Sequence, residues 1–203
     1  MPILEARAIT CVRGERELFS GLNLQVFAGE CLHIRGENGV GKTSLLRLLT
    51  GLSPPDEGQI LWDGKSIKED ARSYRRKLLF LGHRDALKED LTAIENLRMY
   101  AAIDGVALSE EDAFKSLRRF GLRGREDLPV NFLSAGQKKR VLMARMVSRN
   151  AQIWILDEPF NALDVRAVQE LQEVISEHLA SNGSVVLTSH QPLSMVNLRA
   201  LDL

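Results

Sequence analysis

The chain is 203 residues long and carries 27 basic and 27 acidic side chains. That length suits one domain with a proper core, and the cancelled charge excludes a global field that would draw the chain onto nucleic acid or an anionic membrane. No stretch approaches the roughly 18 consecutive apolar residues of a membrane span, and Met1–Glu5 has neither the basic segment nor the apolar run of a signal peptide. The expectation is a single cytoplasmic domain. Its two cysteines, Cys11 and Cys31, lie in strand-like segments with no C-x-x-C pair, and are expected to be reduced core residues.

Leu22–Val26 alternates with period two and predicts a half-buried strand. Ala28-Gly29-Glu30 turns it into a second strand, Cys31–Arg35, which feeds a glycine-rich loop and an apolar helix from Lys42 to about Leu52. Ser53–Gly58 breaks that helix. A short strand, Gln59–Trp62, ends in an Asp63-Gly64 hairpin turn, and Leu78–Leu81 is another buried strand. The chain then turns helical. Thr92 with Glu95, Ser109 with Asp112, and Ser134 with Gln137 each place a hydroxyl three residues before an acid or amide, the helix-start pattern. The third helix runs to about Asn150. Ile153–Leu156 is a continuously apolar strand, Val165–Asn182 a helix closed by Gly183, and Val185–Thr188 the last strand expected. Apolar strands alternating with helices imply an α/β fold, mainly a parallel sheet covered on both faces. The helical middle, about Thr92–Asn150, is the one candidate subdomain.

Three motifs carry chemistry. Gly36-Glu37-Asn38-Gly39-Val40-Gly41-Lys42-Thr43 fits the P-loop pattern and continues into Ser44 on a helix. Its glycines let backbone N–H groups curl around a phosphate at a helix N-terminus, whose free donors favour an anion. Lys42 is expected to bridge the β- and γ-phosphates of ATP, and the Thr43 hydroxyl to ligate Mg²⁺. Ile153–Leu156 ends in Asp157-Glu158, and a buried parallel strand delivers such residues to the crevice where α/β sheets hold ligands. Asp157 is expected to hold Mg²⁺ through water, and Glu158 to position and deprotonate the attacking water. Leu133-Ser134-Ala135-Gly136-Gln137 offers a second phosphate-binding helix end, which makes sense only when a second subunit presents it across the nucleotide. An ordinary capping box is the competing account. It covers Ser134 and Gln137 but neither Leu133 nor Gly136.

This ordered set resembles the ATP-binding cassette (ABC) ATPases over essentially the whole chain. The resemblance adds a D-loop at Asn161-Ala162-Leu163-Asp164 and a switch histidine at His190. It implies a head-to-tail homodimer around two ATP molecules, with Leu133–Gln137 of each copy facing the other copy's P-loop. Ser134 and Gly136 would then reach the γ-phosphate in trans and His190 in cis. Within the family, Leu81-Gly82-His83, Leu91–Leu97, Trp154–Phe160 and Ser189-His190-Gln191-Pro192-Leu193 look like the ATP-binding subunits that serve cytochrome c maturation and are described as haem exporters. That likeness implies a peripheral subunit on the cytoplasmic face of the bacterial inner membrane, attached through an integral-membrane permease-like partner and not through nucleic acid. His83–Met99 would supply the partner contact.

Two positions depart from the family pattern. Arg13 stands where most members put an aromatic ring against adenine. A guanidinium plane can stack on a base, or Arg13 is a solvated charge. His83 replaces the usual Q-loop glutamine. Imidazole nitrogen is a poor ligand for Mg²⁺, so His83 is expected either to donate a hydrogen bond at the γ-phosphate or attacking water, or to relay closure to the partner, or to have no role. His33 and His178 are read as structural. The rival functional readings are a soluble ABC clamp, disfavoured by the lack of a heptad run and of a second cassette, and a plain P-loop kinase, disfavoured by Leu133–Gln137.

Overall fold

Ten residues near the N-terminus, Leu4–Arg13, form the first strand, β1, of which the sequence marks only the strand-like setting of Cys11. Its inward side chains Leu4, Ala6, Ile9 and Cys11 are buried, but the alternation slips at Ala8, where the backbone enters the left-handed region (φ 46°) and the pairing register shifts. Such a bulge moves every later side chain to the other face and hides the period-two signal. β1 lies between β2 (Arg16–Val26) and β4 (Glu57–Trp62) in an antiparallel sheet of order β2-β1-β4-β5, with β5 at Lys65–Ser66. Gly58 of β4 fits against the bulge, since a Cβ there would lie 2.3 Å from the carbonyl oxygen of Ala8.

The second sheet is parallel, in the order β6-β7-β8-β3-β9. Its strands are β3 (Cys31–Arg35), β6 (Leu78–Leu81), β7 (Ile153–Leu156), β8 (Ser184–Thr188) and β9 (Leu198–Asp202). β7 and β8 are buried at every position, which explains their unbroken apolar sequence. β9 has no counterpart among the expected strands. It is an edge strand with three of its five residues exposed, so its composition carries little signal. α1 (Lys42–Leu49) follows the glycine-rich loop and stops three residues short of expectation, where Gly51 turns the chain at φ 70°. α2 (Ala71–Lys77) is likewise additional. Only Tyr74 of its seven residues is buried, and its hydroxyl donates to the Leu49 carbonyl at 2.7 Å.

The computed structural model describes residues 1–82, 86–191, 193 and 195–203. His83 therefore lies outside the described residues. The chain divides into two compact units: Met1–Gly82 with Ala151–Pro159 and Ile175–Leu203, and His83–Asn150 with Phe160–Val174. Both sheets belong to the first. Its core joins Leu4, Ile9, Val26, Leu32, Leu45 and Ile155, each worth about 1.5–3 kcal/mol when withdrawn from water. The second unit holds α3 (Ala93–Ile103), α4 (Glu110–Arg119) and α5 (Ala135–Ser148), packed on one another. The expected caps form. Thr92 and Glu95 exchange hydrogen bonds of 3.2 and 2.8 Å, and Ser109 accepts from the Asp112 amide at 3.1 Å. Buried Asn96 ties down the segment before α3, accepting from the Lys88 amide and donating to the carbonyls of Lys88, Leu91 and Thr92.

α6 (Val165–Ala180) ends two residues earlier than expected, and Asn182 rather than Gly183 takes the left-handed turn, at φ 62°. Gly183 has a different task. A Cβ there would lie 2.2 Å from the His178 ring, which stacks on Trp154 with centroids 3.8 Å apart and planes 3° from parallel. Burial lowers the His178 pKa to about 4, against ~6.5 in an unfolded chain. Between those values the unfolded chain takes up a proton and the folded one does not, so stability is lost as pH falls from 6.5 towards 4. The loss at pH 4.5 is expected to be on the order of 2 kcal/mol. Thermal melts at pH 7.5 and 4.5 should show a smaller acid penalty for His178→Phe, which keeps the stack but cannot titrate; equal penalties would refute this.

Candidate nucleotide site

β3 delivers the chain to the glycine-rich loop at the carboxyl end of the parallel sheet. Gly36, Gly39 and Gly41 all have positive φ (144°, 80° and 119°), so side chains at these points would be strained. Gly36 is doubly constrained, because a Cβ would lie 2.8 Å from Val40 and 3.0 Å from the Leu203 carbonyl oxygen. Gly41 lies against Leu18 and Phe19 of β2, which brings the antiparallel sheet up to the loop. Glu37, Asn38 and Gly39 form its exposed rim, Val40 is half-buried, and Lys42 is largely buried. The Lys42 ammonium donates to the carbonyls of Gly36 and Glu37 at 2.7 and 3.0 Å, which holds its charge inside the loop's own curl. Thr43 and Ser44 follow on the first turn of α1.

β7 ends next to this loop. The Thr43 hydroxyl donates to Oδ2 of Asp157 at 2.8 Å, so a P-loop hydroxyl and a strand-end carboxylate meet at one point. Asp157 is 3% exposed and its Oδ1 accepts from the Thr188 hydroxyl at 2.8 Å. The same Thr188 oxygen accepts from the Glu158 amide at 2.9 Å. Thr188, fully buried at the end of β8, thus fixes both acids at once, a role invisible in sequence because its partners lie 30 and 31 residues away. Glu158 itself has φ 50°, a left-handed backbone that costs a non-glycine residue roughly 1–2 kcal/mol. Its Oε1 is buried without a hydrogen-bond partner among the described residues. Nε2 of exposed His190 lies 3.4 Å from that oxygen, close enough for an ion pair but without hydrogen-bond alignment.

Arg13 ends β1, exposed, its guanidinium donating to the neighbouring Val12 carbonyl at 2.9 Å. No hydrogen bond or ion pair among the described residues ties it to the loop. Leu133–Gln137 and Ala162-Leu163-Asp164 belong to the second unit. There the capping box is formed, with the Gln137 amide on the Ser134 hydroxyl at 3.3 Å and the Ser134 amide on the Gln137 side chain at 2.9 Å. Leu133 is buried, and a Cβ on Gly136 would stand 3.4 Å from the Ala162 carbonyl oxygen, so both also have packing reasons. Ala162 has φ 63°, and Asp164 caps α6 through the Ala167 amide at 2.8 Å while pairing with Arg140 at 3.3 Å. The cap, contributing most, and the arginine pair hold the Asp164 carboxyl below its usual range.

A glycine-rich turn leading into a helix, a lysine held within it, and a hydroxyl and carboxylate meeting at the strand ends match the pattern of the P-loop class. A family model described as ABC transporter matches residues 19–161, and the chain belongs to that family. It is similar to the cytochrome c biogenesis ATP-binding export protein CcmA of Dechloromonas aromatica (strain RCB), with 51% identity over 95% of each chain. The protein of that name from Escherichia coli (strain K12) is 48% identical over 96% of this chain and 92% of its own. Among solved structures, a dimeric ATP-binding cassette in a post-hydrolysis state, bound to ADP and Pi, superimposes with a TM-score of 0.82 at 25% identity, covering 93% of this chain and 88% of the other.

Proposed function

We propose that this chain is the ATP-hydrolysing subunit of a membrane-bound export complex that serves c-type cytochrome biogenesis and handles haem. The observation that carries the reading is the junction of Thr43 and Asp157 at 2.8 Å with Glu158 next in sequence. It sits in a chain 51% identical to a cytochrome c biogenesis ATP-binding export protein. No helix of the described residues is long and apolar enough to cross a membrane. The subunit would therefore reach the cytoplasmic face of the bacterial inner membrane through a permease-like partner. The whole chain acts as one nucleotide-binding domain, with 92–150 as its helical subdomain.

Each residue then has a task on ATP. Backbone N–H groups of Glu37–Lys42 surround the phosphates, and Lys42 exchanges its two carbonyl acceptors for phosphate oxygens. Charge-assisted bonds of that kind are the stronger ones. Thr43 and Asp157 present oxygen donors suited to Mg²⁺, a hard ion that takes one or two protein oxygens beside substrate phosphates. When bound, Mg²⁺ neutralises charge on the β- and γ-phosphates. Glu158 orients the attacking water and takes its proton, and its buried Oε1, which has no hydrogen-bond partner among the described residues, is the acceptor. His190 contacts the γ-phosphate of the same nucleotide. Ser134 and Gly136 of a second copy approach from the far side, closing a homodimer, while Asp164 lies on the connecting loop. Arg13 stacks on the base.

The test is genetic and biochemical. Deleting the gene should abolish c-type cytochromes on haem-stained gels. Wild type should restore them and Glu158→Gln should not, and the tagged chain should copurify with an integral-membrane subunit. Normal c-type cytochromes in the deletion strain would refute the assignment.

A further inference from the structure

His33 lies three residues before the glycine-rich loop, in β3, and its side chain is nearly buried. Its Nε2 stands 3.1 Å from the carbonyl oxygen of Ser189. A carbonyl can only accept, so the ring must carry its proton on Nε2. That leaves Nδ1 as a buried lone pair with no partner among the described residues. Burial, the largest influence on this ring, lowers its pKa and keeps it neutral. A buried nitrogen without a partner costs stability, and an aliphatic side chain would fill the same space without that cost. What the ring contributes is the bond from Nε2.

The bond reaches the most consequential stretch of β8's exit. Thr188, one residue earlier, holds Asp157 and the Glu158 amide. His190, one residue later, stands 3.4 Å from Glu158. The Ser189 hydroxyl accepts from the Gln191 amide at 3.0 Å and so closes the turn that carries His190. Ladder pairing of β3 with β8 ends at Ile34 and Thr188, so the backbone beyond Thr188 has left the sheet. The His33 hydrogen bond extends that attachment by one residue, on the one carbonyl immediately before His190.

We propose that His33 is a positioning residue for hydrolysis: by donating Nε2–H to the Ser189 carbonyl it sets where His190 stands over Glu158. The strand that leads into the phosphate loop is thereby coupled to the histidine that meets the γ-phosphate. This rests on the reading of Glu158 and His190 as groups acting on ATP.

The experiment compares His33→Leu with His33→Gln in the purified complex of the full chain. Leucine fills the volume and removes the donor, whereas glutamine presents an amide N–H at similar reach. His33→Leu is expected to lower kcat about five- to tenfold, the rate equivalent of one ordinary hydrogen bond, with KM for ATP unchanged. His33→Gln should recover most of that rate. Wild-type kcat in His33→Leu, equal slowing by both variants, or a loss that appears in KM would each overturn the proposal. Imidazole ¹H–¹⁵N spectra of the unmodified protein give an arm independent of variant folding. The proton should be on Nε2 of His33, and an Nδ1–H tautomer would overturn the assignment. Glu158→Gln is measured in parallel, and normal turnover there would strike the underlying reading of the site rather than the role of His33.

Discussion

Replacing Glu158 by Gln is expected to cut ATP turnover at least a hundredfold, the usual contribution of a positioned general base, while ATP binding survives. The amide keeps the size of the side chain and can still orient water, but cannot take its proton. Nothing that holds the backbone changes, because the Glu158 amide is bonded to Thr188 and Asp157 keeps its own tie to the same hydroxyl. ATP should then persist in the site, and the closed dimer should accumulate on size exclusion in Mg-ATP. Single-turnover assays with labelled ATP measure the chemistry apart from product release. Near-normal hydrolysis would remove Glu158 from the role of base.

The second large effect separates the two sides of one nucleotide. Lys42→Ala should weaken ATP binding about a hundredfold or more, since its ammonium is proposed to make charge-assisted bonds to the phosphates. Ser134→Asp tests the opposite side without collateral damage. Aspartate caps a helix as well as serine does, so the bond from the Gln137 amide can be kept, while in the proposed dimer a negative charge would face the partner's γ-phosphate. Binding by the single chain should be near normal and turnover lost. Mixing the two inactive variants yields mixed dimers with one intact composite site, and about a quarter of wild-type activity should return under random two-fold assembly. A mixture as inactive as its components, or Ser134→Asp that binds ATP as poorly as Lys42→Ala, would contradict a site shared between copies.

How much is legible in the sequence follows from how local each signal is. The glycine-rich loop, the strand-end acids and the three helix caps are contiguous strings whose spacing is set by one turn of backbone, and the structure forms each of those local elements. β1 is legible only around Cys11 because the bulge at Ala8 interrupts its alternation. β9 escapes because an edge strand buries too little to write a pattern, and α2 because one tyrosine is its only buried residue. Within the site, Thr188 and His33 are hidden for a different reason. A threonine closing an apolar strand and a histidine inside one look like packing, and their partners are 31 and 156 residues away in sequence. Ser134 shows the converse: the cap is formed, and a capped helix end is also an anion site, so sequence pattern alone does not choose between them.

The left-handed backbone at Glu158 has an evolutionary edge. Every copy carries a small, permanent energetic load at the residue proposed to do the chemistry, and glycine or asparagine would relieve it. Selection for heat tolerance alone would therefore push this position toward inactive, sturdier chains. Only continued demand for turnover holds the carboxylate there, and a laboratory screen scoring survival on heating would breed it out.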